Sequence, residues 1–231
     1  MPRQITLSAG LKDIVLPNGL RAQGGASVIL SDQEYSLLSS TFKAANLAAD
    51  VTTAQNDYFA SQGLVSGEST IPRMNPGATV PVASQRLQLT YWTAAKTETV
   101  NNIGNTTGST GAGATPTYCA MGCYSVAANG NLALLGACAN DTNLFSTAYA
   151  FATRAVTTPF QKVQGQRYAW GILVVTAAAT PTMIGYNGAV EETSTAPVLS
   201  TSLSGQSVLP SSITAGSLSG FGSMIYGVVT P

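Results

Sequence analysis

The sequence predicts a mainly β chain: a small α+β amino-terminal module, a linker, and a carboxy-terminal antiparallel β-sandwich that is jelly-roll-like. Three observations carry this expectation. Asn129-Gly130 sits inside the apolar stretch 117–139 (TYCAMGCYSVAANGNLALLGACA), a strong short-range hairpin signal because a type I′ turn needs positive φ at both central residues. From residue 86 onward, short apolar or alternating runs recur between Gly-, Asn- and Thr-rich turns with little helical periodicity between them. The clearest helix signal lies near the amino terminus, where Ser31-Asp32-Gln33-Glu34 forms a capping box and Tyr35, Leu38 and Phe42 follow at i, i+3 and i+7.

Residues 1–45 make up the first module. Ile14-Val15-Leu16 runs into the turn tripeptide Pro17-Asn18-Gly19, and Gly24-Gly25 precedes Ser27-Val28-Ile29-Leu30, so a small hairpin is expected before the helix. Residues 46–85 read as a helical or extended neck and linker. Ala44, Ala48, Val51, Gln55 and Tyr58 offer only a thin apolar stripe, suited either to packing against copies of itself or to a loosely helical connector. The Gly/Pro/Ser-rich stretch 63–81 holds the expected domain boundary.

The sandwich is expected over 86–231. Leu87, Leu89 and Tyr91 alternate with Gln88, Thr90 and Trp92, the period of a half-buried strand. The run GNTTGSTGAGATP (104–116) reads as a mobile loop, and helix and strand compete over 145–163 as far as Pro159. The unbroken run RYAWGILVV (167–175) suits a central strand buried on both faces or at a subunit contact. TPTMIGYNG (180–188) is a short strand, 191–220 a polar connection and 221–231 a closing strand.

Composition bounds the function. Of 231 residues 9% are charged, with Lys+Arg equal to Asp+Glu, so the chain lacks the basic face that nucleic acid needs and has no electrostatic reason to sit on an anionic membrane. Between Thr99 and Thr153 the only charge is Asp141, and after Arg167 only Glu191 and Glu192 follow. This half must stay soluble through Ser, Thr, Asn and Gly, or cover its surface in an assembly. Histidine is absent, which excludes His-based triads and His metal sites. The amino-terminal MPRQITLSAG has no apolar run that could form a signal core and no segment approaches 18 consecutive apolar residues, so a chain made and soluble in a cytoplasm is expected.

The three cysteines are read as buried free thiols. With Asn129-Gly130 as a two-residue loop, Cys138 faces Met121 and lies diagonal to Cys119 and Cys123, too far for a comfortable disulfide and one ligand short of a metal site. The acidic pair Glu191-Glu192 reads as solvated loop charge, since successive side chains diverge where a glycosidase needs carboxylates at a set distance. No catalytic residue, metal site or cofactor is expected, and the chain is read as not an enzyme.

The segments RLQLTYWTAAKTETV (86–100), ATPTYCAMGCYSVAANGNLALLGACANDTNLF (114–145) and FQKVQGQRYAWGILVVTA (160–177) together resemble the carboxy-terminal sandwich of minor tail proteins from tailed bacteriophages of actinobacteria. Separately, LPNGLRAQGGASVILSDQEYSLLS (16–39) resembles a small module of phage head and tail accessory proteins. The combination is similar to a capsid decoration protein or head fibre. The resemblance implies a virion-surface location, attachment to the major capsid protein or to tail proteins, and a homotrimer. It also implies that Val28, Leu30, Tyr35, Leu38 and Phe42 anchor the chain to the particle.

A host-surface glycan is a further expected partner of the sandwich. Sugar rings stack on exposed aromatics, with amides and hydroxyls supplying directional bonds. Tyr91, Trp92, Tyr118, Tyr124, Tyr168, Trp170 and Tyr186 are available, and most aromatics on alternating strands are core. Trp92, on the face that carries Gln88 and Thr90, is the one expected to be exposed, with Gln88 beside it.

Overall fold

The computed structural model describes residues 67–72, 76–113, 116–187 and 197–231, together with the backbone of four short strands nearer the amino terminus. The chain divides into two compact units, Met1–Val65 and Ser66–Pro231.

In the first unit β1 (Arg3–Thr6) pairs antiparallel with β4 (Ser27–Leu30), placing Ile5 opposite Val28 and Arg3 opposite Leu30. Between them β2 (Ile14–Val15) pairs with β3 (Arg21–Ala22), so these two flank Pro17-Asn18-Gly19. The described residues of this unit are strand alone and give the expected α+β character no support. The helix expected to carry Tyr35, Leu38 and Phe42, and residues 46–66 of the expected neck and linker, lie outside the described residues.

The second unit is an antiparallel, sandwich-like assembly. Its strands are β5 (Glu68–Ser69), β6 (Ala78–Pro81), β7 (Arg86–Thr93), β8 (Glu98–Thr106), β9 (Tyr118–Val126), β10 (Leu132–Ala137) and β11 (Phe151–Lys162). They continue with β12 (Arg167–Val175), β13 (Thr182–Asn187), β14 (Ser200–Ser204), β15 (Ser212–Ile213), β16 (Ser219–Gly220), β17 (Ser223–Ile225) and β18 (Gly227–Thr230). One sheet has seven strands in the order β15-β10-β9-β12-β7-β14-β16. Opposite lie a four-stranded sheet, β11-β8-β18-β5, and a three-stranded one, β17-β13-β6. Since β5 and β6 pair inside these sheets, the unit takes in part of the stretch expected as linker.

The inner face of the seven-stranded sheet is fixed by what touches it. The Trp170 indole lies so close to β18 that a Cβ on Gly227 would come within 2.4 Å of it. Gly136 meets Phe160 of β11 in the same way. Thr90 Oγ1 accepts from the Ile225 amide at 2.9 Å, and Gln88 Nε2 donates to the Pro81 carbonyl at 3.0 Å. The polar stripe of β7 is therefore the stripe that faces the second layer. The Thr90 hydroxyl and the Gln88 amide nitrogen can sit there because each finds a partner, which avoids the desolvation cost of an orphaned group, whereas Gln88 Oε1 is left without one.

The outer face is covered too. Leu209 packs over Gly122, its amide donates to the Tyr118 hydroxyl at 3.3 Å, and the Ala215 amide donates to Asn131 Oδ1 at 2.9 Å. β12, fourth of the seven strands, is thus buried on both faces within one chain. β11 closes one side like a half-barrel. It pairs with β8 at both ends, while Val156 bridges to Cys138 and Thr157 Oγ1 donates to the Ala137 carbonyl at 3.0 Å. Pro159 falls in the stretch where the β8 pairing is broken, where its missing N–H costs no ladder bond.

The hairpin at Asn129-Gly130 forms with a different turn. Ala127 pairs with Asn131, one residue away from the expected register, Gly130 N–H donates to the Ala127 carbonyl at 2.9 Å, and of the turn residues only Gly130 has positive φ, at 81°. This is a three-residue loop ending in a left-handed glycine. The register shift it introduces is undone by an irregularity at Leu135, which restores Cys138 opposite Met121. Residues 104–113 of the expected mobile loop are also tied down. Residues 104–106 belong to β8, and beyond it Gly108 donates to Thr182, Ala112 to Phe145 and Gly113 to Ala179.

Candidate functional site

Trp92 is buried, at 8% exposure, and Gln88 at 1%. Both lie between the layers, so the exposure expected of Trp92 is not found. Its ring packs against Tyr168 with centroids 5.5 Å apart, and its Nε1 donates to Glu68 Oε2 at 3.2 Å. The alternation of β7 is real, but both of its faces are covered. Val28 and Leu30 occupy β4 at the register positions given above, whereas Tyr35, Leu38 and Phe42 lie outside the described residues, as do Glu191 and Glu192.

Behind Trp92 lies a buried charge cluster at the point where the chain enters the second unit. Lys162 is 0% exposed and reaches Glu68 Oε1 at 2.7 Å, Glu98 Oε1 at 2.9 Å and the Lys96 carbonyl at 2.9 Å. Glu68 Oε1 also accepts the amides of Ala95 and Lys96 at 3.0 Å each, and Lys96 Nζ lies 2.8 Å from Glu98 Oε2. The ammonium donates to Glu68 Oε1 and to the Lys96 carbonyl, and Glu98 Oε1 lies within ion-pair distance without a well-directed hydrogen bond. The cluster fastens β5 to the turn after β7 and to the end of β11. Its burial and its paired charges make it a structural tie.

The three cysteines are free and buried, and burial raises each thiol, Cys119 to about 11. They line the inner face with Met121, as inert core groups. Among the described residues no group of three or more His, Cys, Asp or Glu is placed to hold a metal ion, and no helix is long and apolar enough to cross a membrane.

A concave feature among the described residues lies elsewhere, on the outer face of the seven-stranded sheet, where β7 and β9 end and β12 begins near the 127–131 turn. A groove of about 370 Å³ opens there, walled by Val126, Pro197, Val198, Ala215 and Leu218 and floored by Tyr91, Thr201 and Arg167. The Arg167 guanidinium lies over the Tyr91 ring, 4.5 Å from its centroid, and donates to the Val198 carbonyl. The Tyr91 hydroxyl shares a 2.9 Å hydrogen bond with Thr201 Oγ1. Burial raises the Tyr91 phenol and lowers Arg167, each offset in part by the other's charge. The site can bind: a planar cation, two hydroxyls and apolar walls meet in one concavity.

Sequence reasoning passed over Arg167. The available signal was its isolation, as the only charged residue between Lys162 and Glu191. It also passed over Tyr149, at 71%, and Phe151, at 56%, the two most exposed aromatics among the described residues. Tyr149 holds positive φ, at 53°, in a turn clasped by Thr107, whose hydroxyl bonds the Thr147 carbonyl and the Ala150 amide. Of the aromatics named from the sequence, Tyr186 is the one well exposed, at 44%. No protein-family model matches the chain, and no curated protein matches it.

Proposed function

We propose that this chain is an accessory structural protein on the virion surface of a tailed phage, a capsid decoration protein or head fibre. The amino-terminal unit attaches to the major capsid protein, and the distal unit, jelly-roll-like in build, faces the host. The observation that carries this reading is the tethering of the second unit. Its first strand β5 pairs with its last strand β18, Ser69 opposite Val228, and Glu68 is locked by the Lys162 cluster. A module that begins and closes on neighbouring strands is held at one end and leaves its opposite loops free for contact. The charge-poor Ser/Thr/Gly surface and the phage-like segments of the sequence agree with that role.

Quantitative mass spectrometry of purified particles tests it. Copies in multiples of the capsid lattice are expected, and absence of the chain from purified particles would overturn the proposal. A second reading, a minor tail protein whose sandwich binds carbohydrate, draws on the Arg167 groove; a handful of copies confined to the tail tip would favour it.

A further inference from the structure

The Arg167 groove lacks one thing its chemistry calls for. The guanidinium offers five N–H donors in a flat fork suited to a carboxylate. One is directed to the Val198 carbonyl, and among the described residues no carboxylate pairs with it. Stacking on Tyr91 fixes the plane of the fork, which reduces the ordering cost of binding. The cation is half-buried, and among the described residues no acidic side chain lines the groove to compensate it. Beside it the Tyr91–Thr201 hydroxyl pair can donate to or accept from a ligand hydroxyl, and Val126, Pro197 and Leu218 offer apolar surface for a C–H face. The groove falls at the small end of the range for ligand pockets, about 300–1,000 Å³.

We infer that this groove binds an acidic sugar of uronate type, its carboxylate on the Arg167 fork and its ring against the apolar wall. A bare anion would use the guanidinium and leave the hydroxyl pair and wall idle; a neutral sugar would leave the cation uncompensated. The inference rests on the reading of the distal unit as a host-surface module only for its biological setting.

Calorimetric titration of the full chain with methyl β-glucuronide, methyl β-glucoside and acetate tests it. The glucuronide is expected to bind, and the other two to bind at least about tenfold more weakly. Arg167→Gln is expected to reduce glucuronide binding at least about tenfold. Because that change also removes a stacked side chain, Ala215→Phe serves as a second variant that fills the groove and leaves Arg167 and Tyr91 in place. It should abolish binding with the melting temperature held. No glucuronide binding, equal binding of acetate or glucoside, or full binding by either variant would overturn the inference. Glucuronide binding by a chain missing from purified particles would leave it standing and remove the virion assignment; the converse would do the reverse.

Discussion

Replacing Lys162 by Met would leave Glu68 and Glu98 without the cation between them in a region nearly closed to solvent. Breaking a buried ion pair from one side costs about 3–5 kcal/mol, because the surviving charge stays desolvated. Urea unfolding of Lys162→Met should show a loss of that size, and adding Glu68→Gln should recover part of it. A loss below about 1 kcal/mol would mean that the cluster behaves as an exposed pair does. The thiols give a second residue-scale expectation. None of the three should react with a thiol reagent at pH 8 in the native protein, and all three should react in denaturant. Cys119 has its thiol raised from 9.0 to about 11, so the native state holds this proton more tightly than the unfolded chain does. Its contribution to stability is complete below pH 9 and declines as the pH rises toward 11. Urea midpoints that increase between pH 9 and pH 11 would contradict this placement.

At the scale of elements, two glycines separate turn geometry from packing. Gly130→Ala places a side chain at a φ of 81° and should cost about 1 kcal/mol. Gly227→Ala drives a methyl into the Trp170 ring at 2.4 Å and should cost about 3 kcal/mol, since β18 has no room to retreat between β8 and β5. Thermal unfolding of the pair checks the order, and equal costs would contradict the inner-face packing. The same elements show what the sequence made legible. β9, β10 and β12 announced themselves through Asn129-Gly130 and the run 167–175, because strong turn chemistry and continuous apolar character act locally. β14 was hidden: Ser200-Thr201-Ser202 looks like a loop, yet it is buried, and its place is set by pairing with β7, more than a hundred residues away. The faces of β7 misled for a related reason. Alternation reports two chemically distinct faces, and a second layer with hydrogen-bond partners can bury the polar one. Arg167 could not be recognised as part of a groove, because the residues around it come from four separate stretches of chain.

For the whole molecule, the second unit is a body whose opening and closing strands lie together and whose broad sheet is covered on both sides. Such a body suits presentation at the end of an attachment, with Tyr149 and Phe151, at the end of β8 away from Glu98 and Lys162, as exposed contact chemistry, while the Arg167 groove lies beside the Ala94 turn at the Glu68 end. Assembly as a trimer belongs to the proposed attachment, and mass photometry of the purified chain is expected to find it; a stable monomer at all concentrations would reject it. The central claim is the place of the chain on a particle, and the most direct measurement is a cryo-electron microscopy reconstruction of the virion. Density for the second unit is expected to project from the capsid at symmetry-related positions. A fully resolved capsid and tail with every surface density assigned to other chains would contradict it.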